Sequence, residues 1–247
     1  MSQPDRIEVD PLSGEVRIDG RAGGIDAVEW DVPIRGTVIG TLLNYRGALA
    51  ALGDALYAAP YLAPPRAPVL YIKPANTWLA CGAPIMLPAA VSEVEIGAAL
   101  GIVMGATGSC LSEPQALDCV AGYTVVNDIR EPHASLHRPA IRQLCRDGFC
   151  PIGPWVIAKQ EVASPDALPL RVFVNGELAA ENTTANLVRP VARLIADVTE
   201  FMTLAAGDVL LAGVPENAPR AGAGDRVRIE IDGVGALDNA LLPERRS

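Results

Sequence analysis

Residues 226–231 alternate strictly between charged and apolar: Val227, Ile229 and Ile231 share one face of an extended segment, and Arg226, Arg228 and Glu230 share the other. That period of two predicts a half-exposed strand. Segments 37–42, 69–74 and 209–215 read as further strands, and apolar strand-like runs span 91–105 and 121–128. Val172 to Leu178 predicts a hairpin with Asn175-Gly176 at its turn. Helical spacing appears in shorter stretches. Pro190 to Leu204 sets Val191, Leu194, Ile195, Val198, Phe201 and Met202 on one stripe, and Tyr45 to Ala59 is rich in Ala and Leu. Ser112 opens a short helix to Val120, with Gln115 completing a capping box. Residues 60–68 hold too much proline for regular structure and read as a loop, a candidate lid. Residues 1–35 alternate around glycines and predict a small β appendage, leaving 36–247 as the main domain. The order lacks regular βαβ alternation and a Gly-rich phosphate loop, so the predicted class is mixed β with short helices.

Composition sharpens this picture. Half of the 247 residues are hydrophobic but only 4% are aromatic, so the core must be built from Val, Ile, Leu and Ala. The 23 glycines and 21 prolines favour many short strands and turns over a helical bundle. A formal charge of −9 without any basic block argues against a nucleic-acid partner. No apolar run approaches the ~18 residues of a membrane-spanning helix, and Met1 to Asp10 is polar and acidic, so a cytoplasmic protein is expected. The five cysteines lack C-x-x-C spacing and, with only His133 and His137 beside them, read as reduced thiols rather than a zinc site.

Candidate chemistry lies in Val91-Ser92-Glu93-Val94-Glu95-Ile96-Gly97. Residues two apart in a strand share a face, so Glu93 and Glu95 would converge. Converging carboxylates repel unless a cation sits between them, and a hard divalent ion such as Mg²⁺ or Mn²⁺ suits their oxygens. Asp128, at the exit of the second run, is then the expected third ligand. The alternative for a bare Glu-x-Glu pair is the solvated edge of an amphipathic strand. Lys73 ends a strand beside Asn76 and Thr77, where it would bind a substrate carboxylate or sit in a surface ion pair. His133 and His137 follow Asp128, although a loop histidine is more often solvated than catalytic.

Seven fragments occur in an order that resembles the fumarylacetoacetate hydrolase family from Gly36 to Glu244: Leu43-Asn44-Tyr45-Arg46, Tyr71-Ile72-Lys73-Pro74, Glu93-Val94-Glu95, Gly122-Tyr123-Thr124-Val125-Val126-Asn127-Asp128, Phe149-Cys150-Pro151-Ile152-Gly153-Pro154-Trp155, Asn175-Gly176-Glu177 and Asn182-Thr183-Thr184. Arg138-Pro139-Ala140-Ile141 and Cys145-Arg146-Asp147-Gly148 look like the branch that degrades 4-hydroxyphenylacetate (homoprotocatechuate), either as the N-terminal half of a duplicated enzyme or as a separate subunit. The resemblance implies the family's mixed-β roll, a homodimer or a hetero-oligomer with a paralogous subunit, and Mg²⁺ or Mn²⁺ held by Glu93, Glu95 and Asp128. It also implies a decarboxylase and isomerase of 2-oxo or 2-hydroxydienoate di- and tricarboxylates, with Asn44, Arg138, Thr183 and Thr184 near substrate.

Three departures qualify that expectation. Family members that hydrolyse a carbon–carbon bond carry a histidine and, three residues on, a glutamate that activate water, and Ala48 and Ala51 stand there. This speaks against an acylpyruvate hydrolase, and against an oxaloacetate decarboxylase of the same fold. Leu144 replaces a lysine expected two positions before Arg146, which leaves Arg146 as the nearest fixed charge for an anionic substrate, with Arg138 and Lys73 in reserve. Ala212-Gly213-Val214-Pro215 replaces the family's Thr-Gly-Thr-Pro turn. A non-catalytic partner subunit is therefore the competing reading.

Overall fold

The structure, a computed structural model, describes residues 7–9, 16–18, 21–23, 29–59, 61–133 and 140–244. Strands β1 (Ile7–Val9), β2 (Val16–Ile18) and β3 (Arg21–Gly23) form a small antiparallel sheet. After it come β4 (Val38–Leu42), α1 (Arg46–Leu52), β5 (Val69–Lys73), β6 (Trp78–Leu79), β7 (Ile85–Leu87), β8 (Glu93–Glu95) and β9 (Ala98–Met104). Next are α2 (Glu113–Ala116), β10 (Val120–Asn127), α3 (Ile141–Leu144), β11 (Cys150–Ala158), β12 (Pro169–Val174) and β13 (Glu177–Thr183). The chain continues through α4 (Val191–Thr199), β14 (Val209–Leu211), β15 (Arg220–Gly222), β16 (Arg226–Ile231) and β17 (Gly235–Pro243).

A seven-stranded mixed sheet runs β5-β4-β14-β9-β10-β11-β6, and a five-stranded sheet runs β13-β12-β16-β17-β7. The main core draws Leu100, Ile102 and Val125 from the first and Leu170, Val172, Ile229 and Leu237 from the second. A second cluster, including Val38, Ala99, Val103, Val126 and Val209, covers the opposite face of the seven-stranded sheet. Strand β9 is therefore buried along its whole length, which is why it reads as an unbroken apolar run instead of an alternation. On β16 the alternation is realised: Val227, Ile229 and Ile231 are buried while Arg226 is exposed and Arg228 and Glu230 are half-exposed. Sheets dominate and the helices are short.

The local signals of the sequence are met where they are local. Asn175 (φ 52°) and Gly176 (φ 84°) both take the left-handed conformation that a two-residue hairpin turn needs, joining β12 to β13. Gln115 Oε1 accepts from the Ser112 amide at 3.2 Å, closing the start of α2. Helix α4 buries Val191, Leu194, Ile195 and Val198, each side chain contributing about 1.5–3 kcal/mol on burial. The predicted stripe runs too far, however. The helix ends at Thr199, whose hydroxyl donates to Ile195 O at 2.9 Å, and the turn that buries Leu204 leaves Phe201 63% exposed. No helix among the described residues is long and apolar enough to cross a membrane.

Candidate active site

Strand β8 lies between two neighbours. On one side it pairs with β15, Glu95 opposite Arg220 and Glu93 opposite Gly222. On the other, the Glu95 amide donates to Arg130 O at 2.9 Å and the Asp128 amide donates to Gly97 O at 2.7 Å. Gly97 permits this close approach, since a Cβ there would overlap the Asp128 carbonyl. Val94 points into the core, so Glu93 and Glu95 share the opposite, less buried face, as the spacing predicts.

The three acids are thus brought to adjacent strands, but their carboxylates do not converge. Each meets its own cation: Glu93 Oε1 lies 2.5 Å from Arg220 Nη1, Glu95 Oε2 lies 2.5 Å from Arg130 Nε, and Asp128 Oδ1 lies 2.9 Å from Lys73 Nζ. The Tyr71 hydroxyl donates to Asp128 Oδ2. Burial first, and the Asp128 charge second, push the Tyr71 phenol well above its ordinary range, which keeps it a donor.

Lys73 is wholly buried and Asp128 is 3% exposed. The Lys73 ammonium donates to the carbonyls of Ile129 (2.8 Å), Leu144 (2.8 Å) and Phe149 (2.9 Å), which exhausts its three N–H groups. This placement differs from the strand-end carboxylate binder read from sequence: β5 carries the lysine into the interior, where it fastens the Asp128 segment to the turn at 144–149. Leu144 is itself buried, and it is the backbone of that position that faces Lys73.

Other candidates are also engaged. Buried Asn44 donates to Ala212 O (2.8 Å) and Arg189 O (3.1 Å) and accepts from the Arg189 amide (3.0 Å), tying the exit of β4 to two loops. Thr184, buried, accepts from the Leu168 amide, and Thr183 accepts from the Ala185 amide. Arg146 is half-buried in an ion pair with Glu131. Arg138 and His137 lie outside the described residues, as does Pro60 of the loop at 60–68.

A cleft of about 280 Å³ opens beside Asp128. Tyr71, Arg130 and His133 line one part of it, and Ala48, Ala51 and Glu216 another. Leu43 (φ 58°) and Asn217 (φ 56°) on its wall hold left-handed backbone, a strain of order 1–2 kcal/mol for a side-chain-bearing residue that tends to collect at functional sites. His133 Nε2 and Glu216 Oε2 are each buried without a hydrogen-bond partner, and Asp128 Oδ1 has no contact of this kind beyond its ion pair with Lys73. Sequence reasoning passed over Arg130 and Glu216. The signal for Arg130 was its position two residues beyond Asp128; for Glu216 it was an acid directly after the altered Ala212-Gly213-Val214-Pro215 turn.

Three carboxylates, two on β8 and one just after β10, suit a hard divalent ion in donor chemistry. Among the described residues no three acidic, histidine or cysteine side chains stand ready as a metal shell, because Arg130 and Arg220 draw Glu95 and Glu93 aside. Holding an ion requires those side chains to exchange partners while the backbone frame stays as it is.

Comparison with known proteins places this frame. The sequence profile of the family "Fumarylacetoacetate (FAA) hydrolase C-terminal" matches residues 37–242. The 4-hydroxyphenylacetate degradation bifunctional isomerase/decarboxylase of Escherichia coli is 39% identical over 212 residues, which cover 86% of this chain and 48% of that protein. The chain thus spans about half the length of the curated relatives it matches. Among solved structures, 5-carboxymethyl-2-hydroxymuconate delta-isomerase from Mycobacterium smegmatis superposes with a TM-score of 0.79 at 28% identity, covering 98% of this chain and 94% of that one. Maleylpyruvate hydrolase from Sphingobium sp. SYK-6, solved with manganese(II) and pyruvate, superposes with a TM-score of 0.73 at 26% identity, covering 93% and 77%. The roll of mixed sheets, the order of its motifs and the extent of these matches make the chain a member of the fumarylacetoacetate hydrolase family.

Proposed function

We propose that this chain is a divalent-metal-dependent isomerase/decarboxylase of 2-oxo or 2-hydroxydienoate di- and tricarboxylates, of the kind that 5-oxopent-3-ene-1,2,5-tricarboxylate and 2-hydroxyhepta-2,4-diene-1,7-dioate represent in aromatic catabolism. The observation that carries the reading is the cleft itself: Asp128 lines it, while Ala48 and Ala51 line it where a water-activating pair would stand. A site with acids for a metal and no such pair favours proton shifts and loss of CO₂ over hydrolysis. The isomerase and decarboxylase names of the relatives agree with that division.

Glu93, Glu95 and Asp128 would hold Mg²⁺ or Mn²⁺. Such an ion, when bound, supplies Lewis acidity toward the carboxylate and keto or enol oxygens of a 2-oxo acid. The chain's own residues do the rest. Lys73 and Tyr71 fix the Asp128 carboxylate from behind. Arg130, which lines the cleft, would leave Glu95 and present its planar fork to a substrate carboxylate. It is better placed for this than Arg146, which is held by Glu131 and is not among the cleft's lining residues.

The test is turnover by the purified chain with Mg²⁺ or Mn²⁺, using the dienoate, the tricarboxylate and an acylpyruvate in parallel. Isomerisation or decarboxylation without acylpyruvate cleavage is expected. Efficient acylpyruvate cleavage would refute the reading. A second reading, one of two complementary subunits, is favoured by the half-length match to the curated relatives. It predicts that turnover appears only when a paralogous chain is added.

A further inference from the structure

We propose that Glu216 is the proton-transfer residue of the cleft, doing from the 212–217 loop what α1 no longer does from Ala48 and Ala51. The inference deepens the isomerase/decarboxylase reading and rests on it.

A 2-oxo acid chemistry of proton shifts needs a group that can take a proton from carbon and return it. Among the described lining of the cleft, the side chains with an ordinary acid–base capacity are Tyr71, Asp128, His133 and Glu216. Tyr71 and Asp128 are bonded to one another, and Asp128 is further committed to Lys73. Arg130 offers a guanidinium, which is suited to binding anions and not to shuttling protons. Glu216 and His133 remain, each with a buried atom that has no hydrogen-bond partner, and the setting of Glu216 favours it.

First, its carboxylate is oriented. Oε1 accepts from Asn182 Nδ2 at 3.2 Å, whereas Oε2 is buried with no hydrogen-bond donor, its lone pairs unspent on a residue that lines the cleft. Second, the helix opposite is cut away for it. Gly47 has no Cβ, and one placed there would overlap the Glu216 carboxyl group; Ala48 and Ala51 continue the same small wall. Third, its charge is felt by its surroundings. The buried Tyr45 phenol is raised far above its ordinary range, chiefly by burial and then by Glu216.

In the proposed step Oε2 takes a proton from the carbon next to the 2-oxo group. The C–H electron pair becomes the C2–C3 double bond and the C2 oxygen takes the negative charge. The carboxylic acid so formed returns the proton to that carbon, or to a conjugated carbon further along the chain. Nothing is oxidised, and Glu216 ends as it began.

Pyruvate is the minimal probe. Exchange of its methyl protons for deuterium in D₂O with Mg²⁺, followed by proton NMR, reads the step directly, and calorimetric binding of oxalate reads occupancy of the site separately. Glu216→Gln is expected to slow exchange by ~100-fold or more, the usual contribution of a positioned base, with oxalate affinity within about twofold of wild type. Gly47→Ala, whose new Cβ displaces the carboxylate without touching it chemically, should lose a smaller part of the rate, and Ala51→Glu in the Glu216→Gln background should recover part of it. Exchange within about threefold of wild type in Glu216→Gln would overturn the proposal, as would absence of exchange in the wild type, or loss of exchange in His133→Gln with Glu216→Gln unaffected. If the dienoate and tricarboxylate are not turned over while Glu216-dependent exchange persists, the reaction assigned above fails and the proton-transfer role stands.

Discussion

Replacing Lys73 by methionine separates the role the structure gives this residue from the one its strand-end position suggests. At 2.9 Å, with both partners almost fully buried, the Lys73–Asp128 attraction is about 6 kcal/mol at an effective dielectric constant near 20. The ammonium also serves three buried carbonyls, and a hydrogen bond to a charged donor contributes ~1.5–3 kcal/mol. Against these stands the several kcal/mol that burying the ammonium costs, so the net loss on removing one partner of such a pair is ~3–5 kcal/mol. For a chain of this size that lowers the melting temperature by about 6–20 °C. Urea unfolding of Lys73→Met, Asp128→Asn and the double variant would measure it. The double variant should be less destabilised than the sum of the singles, by ~2 kcal/mol, because each single change strands the other group. A Lys73→Met variant within about 1 kcal/mol of wild type, or strict additivity, would refute the pairing argument. Unchanged stability with a raised KM would instead restore Lys73 as a substrate contact.

Arg130→Gln removes the guanidinium that Glu95 now holds, so calorimetry should find Mn²⁺ bound about tenfold more tightly, ~1.4 kcal/mol, while KM for the dicarboxylate rises; weaker Mn²⁺ binding would count against Glu95 as a ligand. Ala48→His with Ala51→Glu should bring acylpyruvate cleavage up by ~100-fold, measured by pyruvate release, because both positions face the cleft beside Asp128. Arg146→Ala is expected to cost about 1 kcal/mol of stability through the lost Glu131 pair and to leave KM within about twofold; a tenfold rise would make it a substrate ligand. Burial lifts the Cys150 thiol to about 12, so alkylation of the native protein near pH 8 should spare Cys150 and mark exposed Cys110.

The elements legible in the sequence are those whose cause is local. Asn175-Gly176 dictates its turn whatever surrounds it, and Val227-Arg228-Ile229-Glu230-Ile231 states both its period and its exposed face. Strand β17 was overlooked because its centre carries Asp238 and Asn239, polar residues that suggest a turn. Both are buried. Arg228 reaches the Asp238 carboxylate from β16, and Asn239 donates to the carbonyls of Ala80 and Ala83, partners more than 150 residues away for Asn239. A polar residue compensated by a distant segment cannot be told, in sequence, from one facing water. The site divides in the same way. The acids and the frame of β8 and Asp128 follow from short-range spacing, whereas the cations that hold the acids apart, Arg220 and Lys73, arrive from other strands.

The small residues of α1 carry the same lesson into function. Read along the chain, Ala48 and Ala51 are deletions, positions where a proton-handling pair has been lost. In three dimensions Ala48 and Ala51 line the cleft together with Glu216, and the space that Gly47 leaves beside them is occupied by the Glu216 carboxyl group, which comes from a loop more than 160 residues later. Restoring bulk on α1 and removing the acid on the loop are then perturbations of one compartment, so their effects should be strongly non-additive. Two independent losses would multiply. In a shared compartment, Gly47→Ala should do little further harm once Glu216 is glutamine, since the carboxylate it displaces no longer takes part.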